Sequence, residues 1–377
     1  MLIELSIFSI IIIAYGIFIT LAIFGINKLN HTSINQQSIS SFPFISIVVS
    51  VRNEAKNAEV FINQIAKQNY SKNKFELIVV DDLSDDNTVE VFRKQLESSD
   101  INFNIVQQLN HKGKKQNIAE AVQLAKGTII ITTDADVIYR HENWLKIIGN
   151  YFEVNNPNLL IMPVDFEEQP NALTWFQITE NIALTAITAG FSGINKPFMC
   201  NGANLAFTKR AFESVNGYSS HLHISSGEDV FLLEDLKKID VKAIHYSWQK
   251  EIIVKTKPIQ VFSEFLSQRL RWANKAKNNS NIINVTFGFV VIFANLIFLA
   301  LMVAGLKNQP ITPYLSIFAL TKLIFDFLLL FLSSKILGKV KYLLLLFPFE
   351  TAYWLYALFV GFGSLFFKPT WKGIKIK

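Results

Sequence analysis

The sequence predicts an α/β domain, a mostly parallel sheet with helices on both faces, carried between membrane-crossing helices at both ends. Three observations point there. β-branched apolar runs alternate with helix-like stretches between residues 44 and 133, the pattern of a sheet buried on both faces. Uncharged apolar runs near both ends are long enough to span a bilayer. Acidic clusters follow two of the strands, on the side where open α/β sheets bind ligands.

Each element has its own signal. Phe44–Val51 (FISIVVSV) is a buried strand, and Ala55–Gln68 is helix-like. Phe75–Val80 (FELIVV) is a second strand, followed by a helix over Asp86–Ser98 with acids in its first turn, where the helix dipole favours them. Ile101–Val106 is a third strand. Lys114–Lys126 is a helix that Gly127 would close. Thr128–Thr133 (TIIITT) is a fourth strand. Asn171–Gly190 is apolar but carries Glu180 and Asn181 at its centre, and reads as an amphipathic helix on the acceptor or membrane side. Pro258–Lys275 reads as an amphipathic helix with Val261, Phe262, Phe265, Leu266 and Leu270 on one face, lying in the membrane interface.

Leu5–Ile26 has no charge and exceeds the roughly 20 residues that cross a bilayer core. A signal peptide would want a basic start and a shorter core. The chain starts Met1-Leu2-Ile3-Glu4, which favours an uncleaved anchor. Three further blocks, Ile282–Leu306, Ile311–Ser333 and Tyr342–Phe367, are long enough to span. Lys322 and Asp326 stand four apart in the second, the spacing of a helical ion pair; the rival reading is a polar spot on a lipid-acceptor path. Three helices after a cytosolic domain would put the Lys-rich tail outside, against the positive-inside rule. Pro348 and Glu350 in the last block leave room for a re-entrant hairpin or two short helices that return it.

The composition agrees. Of 377 residues, 50% are apolar and only 18% charged, against about 25% charge in soluble domains, and mean hydropathy is +0.29. Disorder, collagen and a disulfide scaffold are excluded. The single cysteine, Cys200, permits no intrachain disulfide and no cysteine-based zinc site, and reads as a small buried residue. The net charge is +6. Much of the excess sits at membrane edges (Lys335, Lys339, Lys341, Lys368, Lys372, Lys375, Lys377), so a lipid surface comes before nucleic acid as partner.

The strand ends carry the candidate chemistry. The first leads into Arg52-Asn53-Glu54 and the second into Asp81-Asp82-Leu83-Ser84-Asp85-Asp86. The fourth leads into Asp134-Ala135-Asp136, two carboxylates that can share a hard cation, Mg²⁺ or Mn²⁺, with phosphate oxygens. His111-Lys112-Gly113-Lys114-Lys115 opens a helix, a ready anion site or a solvated basic turn. His221 and His223 with Glu228 and Asp229 raise a zinc site, with a loop that gates the acids as the favoured reading.

In order and spacing, RNEA, VVDDLSDDNT, GKKQNIAEAVQLAKG and TTDAD resemble the nucleotide-sugar domain of family 2 glycosyltransferases. So do Asn201-Gly202-Ala203-Asn204 with Gly217-Tyr218, Ser226-Gly227-Glu228-Asp229, and the Q-x-x-R-W pattern of the membrane-bound members in Gln268-Arg269-Leu270-Arg271-Trp272. The resemblance covers about residues 43 to 275 and implies a GT-A (Rossmann-like) fold. It divides the chain into an anchor (1–27), a linker (28–42), the transferase domain (43–257), an interfacial helix (258–276), about three C-terminal membrane helices (282–367) and a basic tail (368–377).

It further implies a membrane-bound, inverting, metal-dependent enzyme with its catalytic domain facing the cytoplasm. A sugar would pass from a nucleotide-sugar donor, UDP-hexose first, to a lipid or lipid-linked acceptor. Asp81 or Asp82 would contact the base and ribose, with Glu54 and Lys114 also on the donor side. Asp134 and Asp136 would hold Mg²⁺ or Mn²⁺, Asp136 more directly. Gln268, Arg271 and Trp272 would hold the diphosphate and shape the acceptor end. Asn201, Gly202 and Asn204 would line the acceptor side, and Asp229 would be the general base, beside Glu228. A processive polysaccharide synthase shares these motifs, but a polymer channel wants more helices. A nucleotidyltransferase would want a Gly-rich pyrophosphate loop where VRNEAKN stands. A transport or receptor subunit would lack the ordered acids.

Overall fold

The alternation of strand and helix resolves into a seven-stranded sheet. The structure is a computed structural model and describes residues 2–31, 42–221, 227–277, 281–366, 370–371 and 374–375. Most of the expected linker (28–42), His223 and Ser226 in the stretch before Glu228, and most of the basic tail (368–377) lie outside the described residues.

In chain order, α1 (Leu2–His31) precedes β1 (Ile45–Val51), α2 (Ala55–Ala66), β2 (Phe75–Asp81), α3 (Thr88–Glu97), β3 (Asn102–Gln107), α4 (Lys114–Leu124) and β4 (Ile129–Thr133). Then come β5 (Ile138–Tyr139), α5 (Trp144–Asn155), β6 (Leu159–Ile161), β7 (Val164–Phe166), α6 (Ala172–Gly193) and β8 (Asn204–Thr208). Next are α7 (Lys209–Ser214), α8 (Glu228–Asp240), β9 (Ile244–Tyr246), β10 (Val254–Thr256), α9 (Phe262–Lys277), α10 (Ile282–Leu306), α11 (Thr312–Leu337) and α12 (Leu346–Phe366), and two-residue strands β11 (Thr370–Trp371) and β12 (Ile374–Lys375) follow.

These elements form two compact units, one of residues 29–167 and 195–257, the other of 1–28, 168–194 and 258–377. In the first unit the sheet order is β3-β2-β1-β4-β8-β6-β9. Pairing is parallel except where β8 runs antiparallel to β4 and β6. β1 and β2 are buried along almost their whole length, which is why they read as continuous β-branched runs. β3 is half exposed, as its N-F-N-I alternation requires at a sheet edge. Ile45, Ile47 and Val49 share a core with Phe61 and Ile65 of α2, Phe92 of α3 and Ile148 of α5. A second sheet, β5-β10-β7, adjoins the end of β4 in sequence through the Asp134–Val137 turn.

Gly127 differs from expectation. α4 ends at Leu124, and its cap, Ala125, is already extended. Gly127 serves a close approach instead: a Cβ there would lie 2.5 Å from the backbone nitrogen of Ser46. Its N–H donates to Ser46 Oγ, which donates in turn to the buried Glu76 carboxylate.

The second unit holds α1, α6 and α9 to α12. Four segments are long and apolar enough to cross a membrane: Leu2–Asn30, Ile282–Leu306, Thr312–Leu337 and Val340–Ser364. Ile7, Ile10, Ile13 and Ile17 of α1 and Phe289 and Phe293 of α10 stay exposed, as lipid-facing side chains would. The last block opens with a 3₁₀ turn (Val340–Leu345) and runs on as a single 21-residue helix, α12. Pro348 falls in its first turn, where a missing N–H costs nothing. α6 meets α1 through glycines, and a Cβ on Gly25 would fall 1.7 Å from the Gly190 carbonyl oxygen. On α9, Phe265 and Leu270 are buried as one face, whereas Val261 and Phe262 are exposed. The buried stripe takes in Arg269 instead.

Candidate active site

The loops after β1 and β2 are laced together. Asn53, at φ 55°, accepts from the Asp85 N–H through its side chain, and its own N–H donates to Ser84 Oγ. Asp81 is buried and accepts from the Ser84 N–H and hydroxyl. Asp82, equally buried, accepts from the N–H groups of Lys112 and Gly113 and lies 2.7 Å from His111 Nδ1. Gly113 begins α4 at φ 81°, a conformation glycine takes without strain. The backbone amides just before α4 are therefore taken by the chain's own Asp82.

Lys114, the first residue of α4, then reaches the acids. Its Nζ lies 2.5 Å from Asp134 Oδ1 and 3.5 Å from Glu228 Oε1. Burial works against the ammonium form, but the charges of Asp134 and Glu228 outweigh it and raise the Lys114 pKa. Asp229, beside Glu228 in the first turn of α8, accepts from the Gly202 N–H at 3.0 Å and the Val230 N–H at 2.9 Å. Gly202 faces this group: a Cβ there would stand in van der Waals contact with Glu228, Asp229 and Lys114, at 3.5–3.7 Å. Tyr218 is buried within electrostatic reach of both acids, and burial followed by their charge pushes its phenol pKa up.

Asp136 is held from the second sheet, where Thr256 Oγ1 of β10 donates to it at 3.3 Å. Its carboxyl pKa is raised, first by burial and then by the charges of Asp134 and Glu54. Glu54 is fixed by the side-chain amide of Asn57 at 2.6 Å, and its N–H donates to Thr88 Oγ1. Asp134, Asp136 and Glu54 thus crowd one rim, with the Lys114 ammonium set against Asp134. Among the described residues no three His, Cys, Asp or Glu side chains close into a metal cage. The donor set suits a hard divalent ion that takes one or two carboxylates and completes its shell with phosphate oxygens.

Asn204 behaves differently from its neighbours. It is fully buried, and its amide donates to the carbonyls of Pro163 and Ile252 and accepts from Trp144 Nε1. It fixes the framework under the rim. Asn201 is exposed and caps the turn through the Ala203 N–H.

Gln268, Arg271 and Trp272 lie on α9 in the second unit. There Arg269 is 3% exposed and pairs with Glu180 of α6 at 2.6 Å. It stacks on Phe265 and Trp272, with its guanidinium carbon 4.6 and 4.3 Å from the ring centres, and donates to Gln268 Oε1. Tyr356 of α12 donates to the other Glu180 oxygen. Sequence reasoning passed over this pair. The signal was Glu180 itself, a carboxylate at the centre of an apolar helix that needed a buried partner. Thr256 left no such signal, since only the pairing of β10 with β5 and β7 brings it to Asp136.

Residues 46–215 match the model of glycosyl transferase family 2. Over those residues the chain is similar to family 2 glycosyltransferases. The chain is 26% identical over 201 residues to glycosyltransferase AglE of Haloferax volcanii, a match over 50% of this chain and 60% of that protein. It is 30% identical over 95 residues to an undecaprenyl-phosphate 4-deoxy-4-formamido-L-arabinose transferase of Pseudomonas savastanoi pv. phaseolicola, over 25% of this chain and 28% of that one. The chain thus spans less than two thirds of the length of either relative. Among solved structures, the mannosyltransferase PcManGT of Pyrobaculum calidifontis, in complex with GDP-Man and Mn²⁺, superposes with a TM-score of 0.58 at 16% identity. That match covers 96% of this chain and 99% of that one, and shows the GT-A fold.

Proposed function

We propose that the protein transfers a sugar from a nucleoside-diphosphate sugar to a lipid or lipid-linked acceptor, with inversion at the anomeric carbon. The observation that carries this reading is the Lys114 bridge between Asp134 and Glu228, with Asp229 next in line. It joins Asp134, proposed here for the metal and phosphate side, to an acid pair within one unit. The family match, the nucleotide-sugar complex of the similar fold and the undecaprenyl-phosphate acceptor in a relative's name support the substrate classes. The four apolar segments support a membrane setting, and the catalytic unit is proposed to face the cytoplasm.

Asp134 and Asp136 would hold Mg²⁺ or Mn²⁺, which would supply positive charge to the departing diphosphate. The chain's own residues do the rest. Asp81, Asp82 and Glu54 shape the nucleotide side. Lys114 offers a second positive charge on the diphosphate side and keeps Glu228 and Asp134 in place. Asp229, oriented by the Gly202 and Val230 amides, takes the proton of the acceptor hydroxyl as its oxygen bonds to the anomeric carbon and the sugar–diphosphate bond breaks. The backside approach inverts that carbon. Gln268, Arg271 and Trp272 are proposed to hold the diphosphate and the acceptor end.

The test is incubation of protein-bearing membranes with Mn²⁺ and a panel of labelled UDP- and GDP-sugars, followed by lipid extraction. One donor is expected to label the lipid fraction, and Asp136→Ala and Asp229→Ala to abolish that label. Labelling that survives both substitutions overturns the site. A long polymer as product would move the reading to a processive synthase.

A further inference from the structure

The membrane unit buries ionisable side chains that the proposed transfer does not use. Lys322 Nζ of α11 lies 2.7 Å from Asp326 Oδ2, one turn along the same helix, and 2.6 Å from Glu350 Oε2 of α12. Tyr15 of α1 donates its hydroxyl to the other Asp326 oxygen. All four residues are more than nine-tenths buried. They also sit within the apolar segments Leu2–Asn30, Thr312–Leu337 and Val340–Ser364, with Tyr15, Lys322 and Asp326 near the middle of theirs. At that depth neither the ammonium nor the carboxyls can reach water by extending a side chain.

The charges do not balance. Two carboxyls face one ammonium. Around them, α12 adds the neutral Tyr353. α6 and α9 add Glu180 and Arg269, which pair with each other and cancel. α10 adds the Phe298 ring, 5.4 Å from Lys322 Nζ, with no charge. With both carboxyls ionised, the set would hold one uncompensated negative charge in a dry interior, which is costly. Hydrogen bonding gives a second, independent reason. The carboxyls of Asp326 and Glu350 accept from the same Lys322 nitrogen, which draws them to one point on the α11–α12 seam. Two carboxylates have only acceptors to offer, whereas a carboxylic acid beside a carboxylate supplies the missing donor.

We propose that Asp326 and Glu350 share one bound proton, with Lys322 as counter-ion and Tyr15 as supporting donor, so that the cluster is a proton-binding site that joins α1, α11 and α12. Loaded, the site is neutral and every contact pairs a donor with an acceptor. Emptied, two like charges face each other across the α11–α12 seam. This holds whatever sugar the other unit transfers.

Infrared spectroscopy of the full-length protein in lipid nanodiscs at neutral pH tests it. A carboxylic-acid C=O band that shifts in D₂O is expected in the wild type and is expected to vanish in both Glu350→Gln and Asp326→Asn. Either amide leaves one carboxylate for Lys322 and no shared proton. A band unchanged in both variants overturns the proposal. So does a sodium-dependent rise in Tm without any such band, which would assign the site to a metal cation. Should the variants fail to assemble, ¹³C labelling of Asp and Glu carboxyls in the wild type decides the same question: the band moves with the label, or the proposal falls.

Discussion

Lys114 Nζ lies 2.5 Å from Asp134 Oδ1 and, through the same nitrogen, joins the end of β4 to the first turn of α8. Neither partner is near the lysine in sequence. The bond therefore reflects how the GT-A sheet assembles its rim: α4 delivers a cation to acids that two other elements supply.

Replacing that cation separates its two effects. Lys114→Met is expected to lower sugar transfer by about 10- to 100-fold, the loss of one charge-assisted contact to the diphosphate. Mn²⁺ binding in the absence of nucleotide is expected to hold or tighten, because the competing ammonium is gone. Turnover assays and Mn²⁺ titration of the same preparation check both halves.

Chelation addresses the rim from the other side. The crowding of Asp134, Asp136 and Glu54 predicts that EDTA lowers transfer by about a hundredfold or more, with recovery on adding Mn²⁺ or Mg²⁺. Asp136→Asn is expected to lose both the activity and the recovery. Activity indifferent to EDTA would remove the metal from the reaction.

Arg269 and Glu180 make a buried pair whose single and double substitutions should differ. Arg269→Met strands the Glu180 carboxylate and is expected to cost about 3–5 kcal/mol. Arg269→Met with Glu180→Met is expected to recover much of that, because nothing charged is left unpaired. Thermal unfolding of the wild type and the two variants in detergent measures the difference.

His245 predicts a pH dependence of the sheet unit. It packs edge-on against Tyr151, whose hydroxyl lies 3.1 Å from Nδ1, and Nε2 is 3.1 Å from the Lys242 carbonyl. Burial lowers its pKa below the ordinary 6.5, with the Lys242 carbonyl opposing. The unfolded chain thus binds the proton first. Stability from this group is complete above about pH 6.5 and is lost as pH falls through that value toward the folded pKa. His245→Gln is expected to flatten the Tm profile between about pH 7 and pH 5.

The parts of the fold that were legible in the sequence are those set by local pattern. β1, β2 and β4 stand out because strands buried on both faces must be apolar throughout, and the membrane helices because a bilayer demands length without charge. The antiparallel insertion of β8 between β4 and β6 left no mark, since its pairing is settled between residues some seventy positions apart. Gly127 misled as a helix stop because glycine answers two needs, a left-handed turn and a close approach, and here it meets the second. Pro348 suggested a break, but a first turn tolerates it. At the site, the motifs name residue types and order. They do not say that Asp82 binds the turn before α4, that Asn204 is sealed beneath the rim, or that Arg269 turns inward while Arg271 stays partly exposed.

The glycine contact between α1 and α6 has a practical consequence. α6 leaves the chain between β7 and β8, in the middle of the sheet's own sequence, and returns to it after docking on a helix from the far N-terminus. No single cut therefore yields a water-soluble catalytic fragment: trimming the first thirty or so residues would bare the Gly190–Gly193 face of α6. Material for assays has to keep α1 and α6 together, because each covers the glycine face of the other.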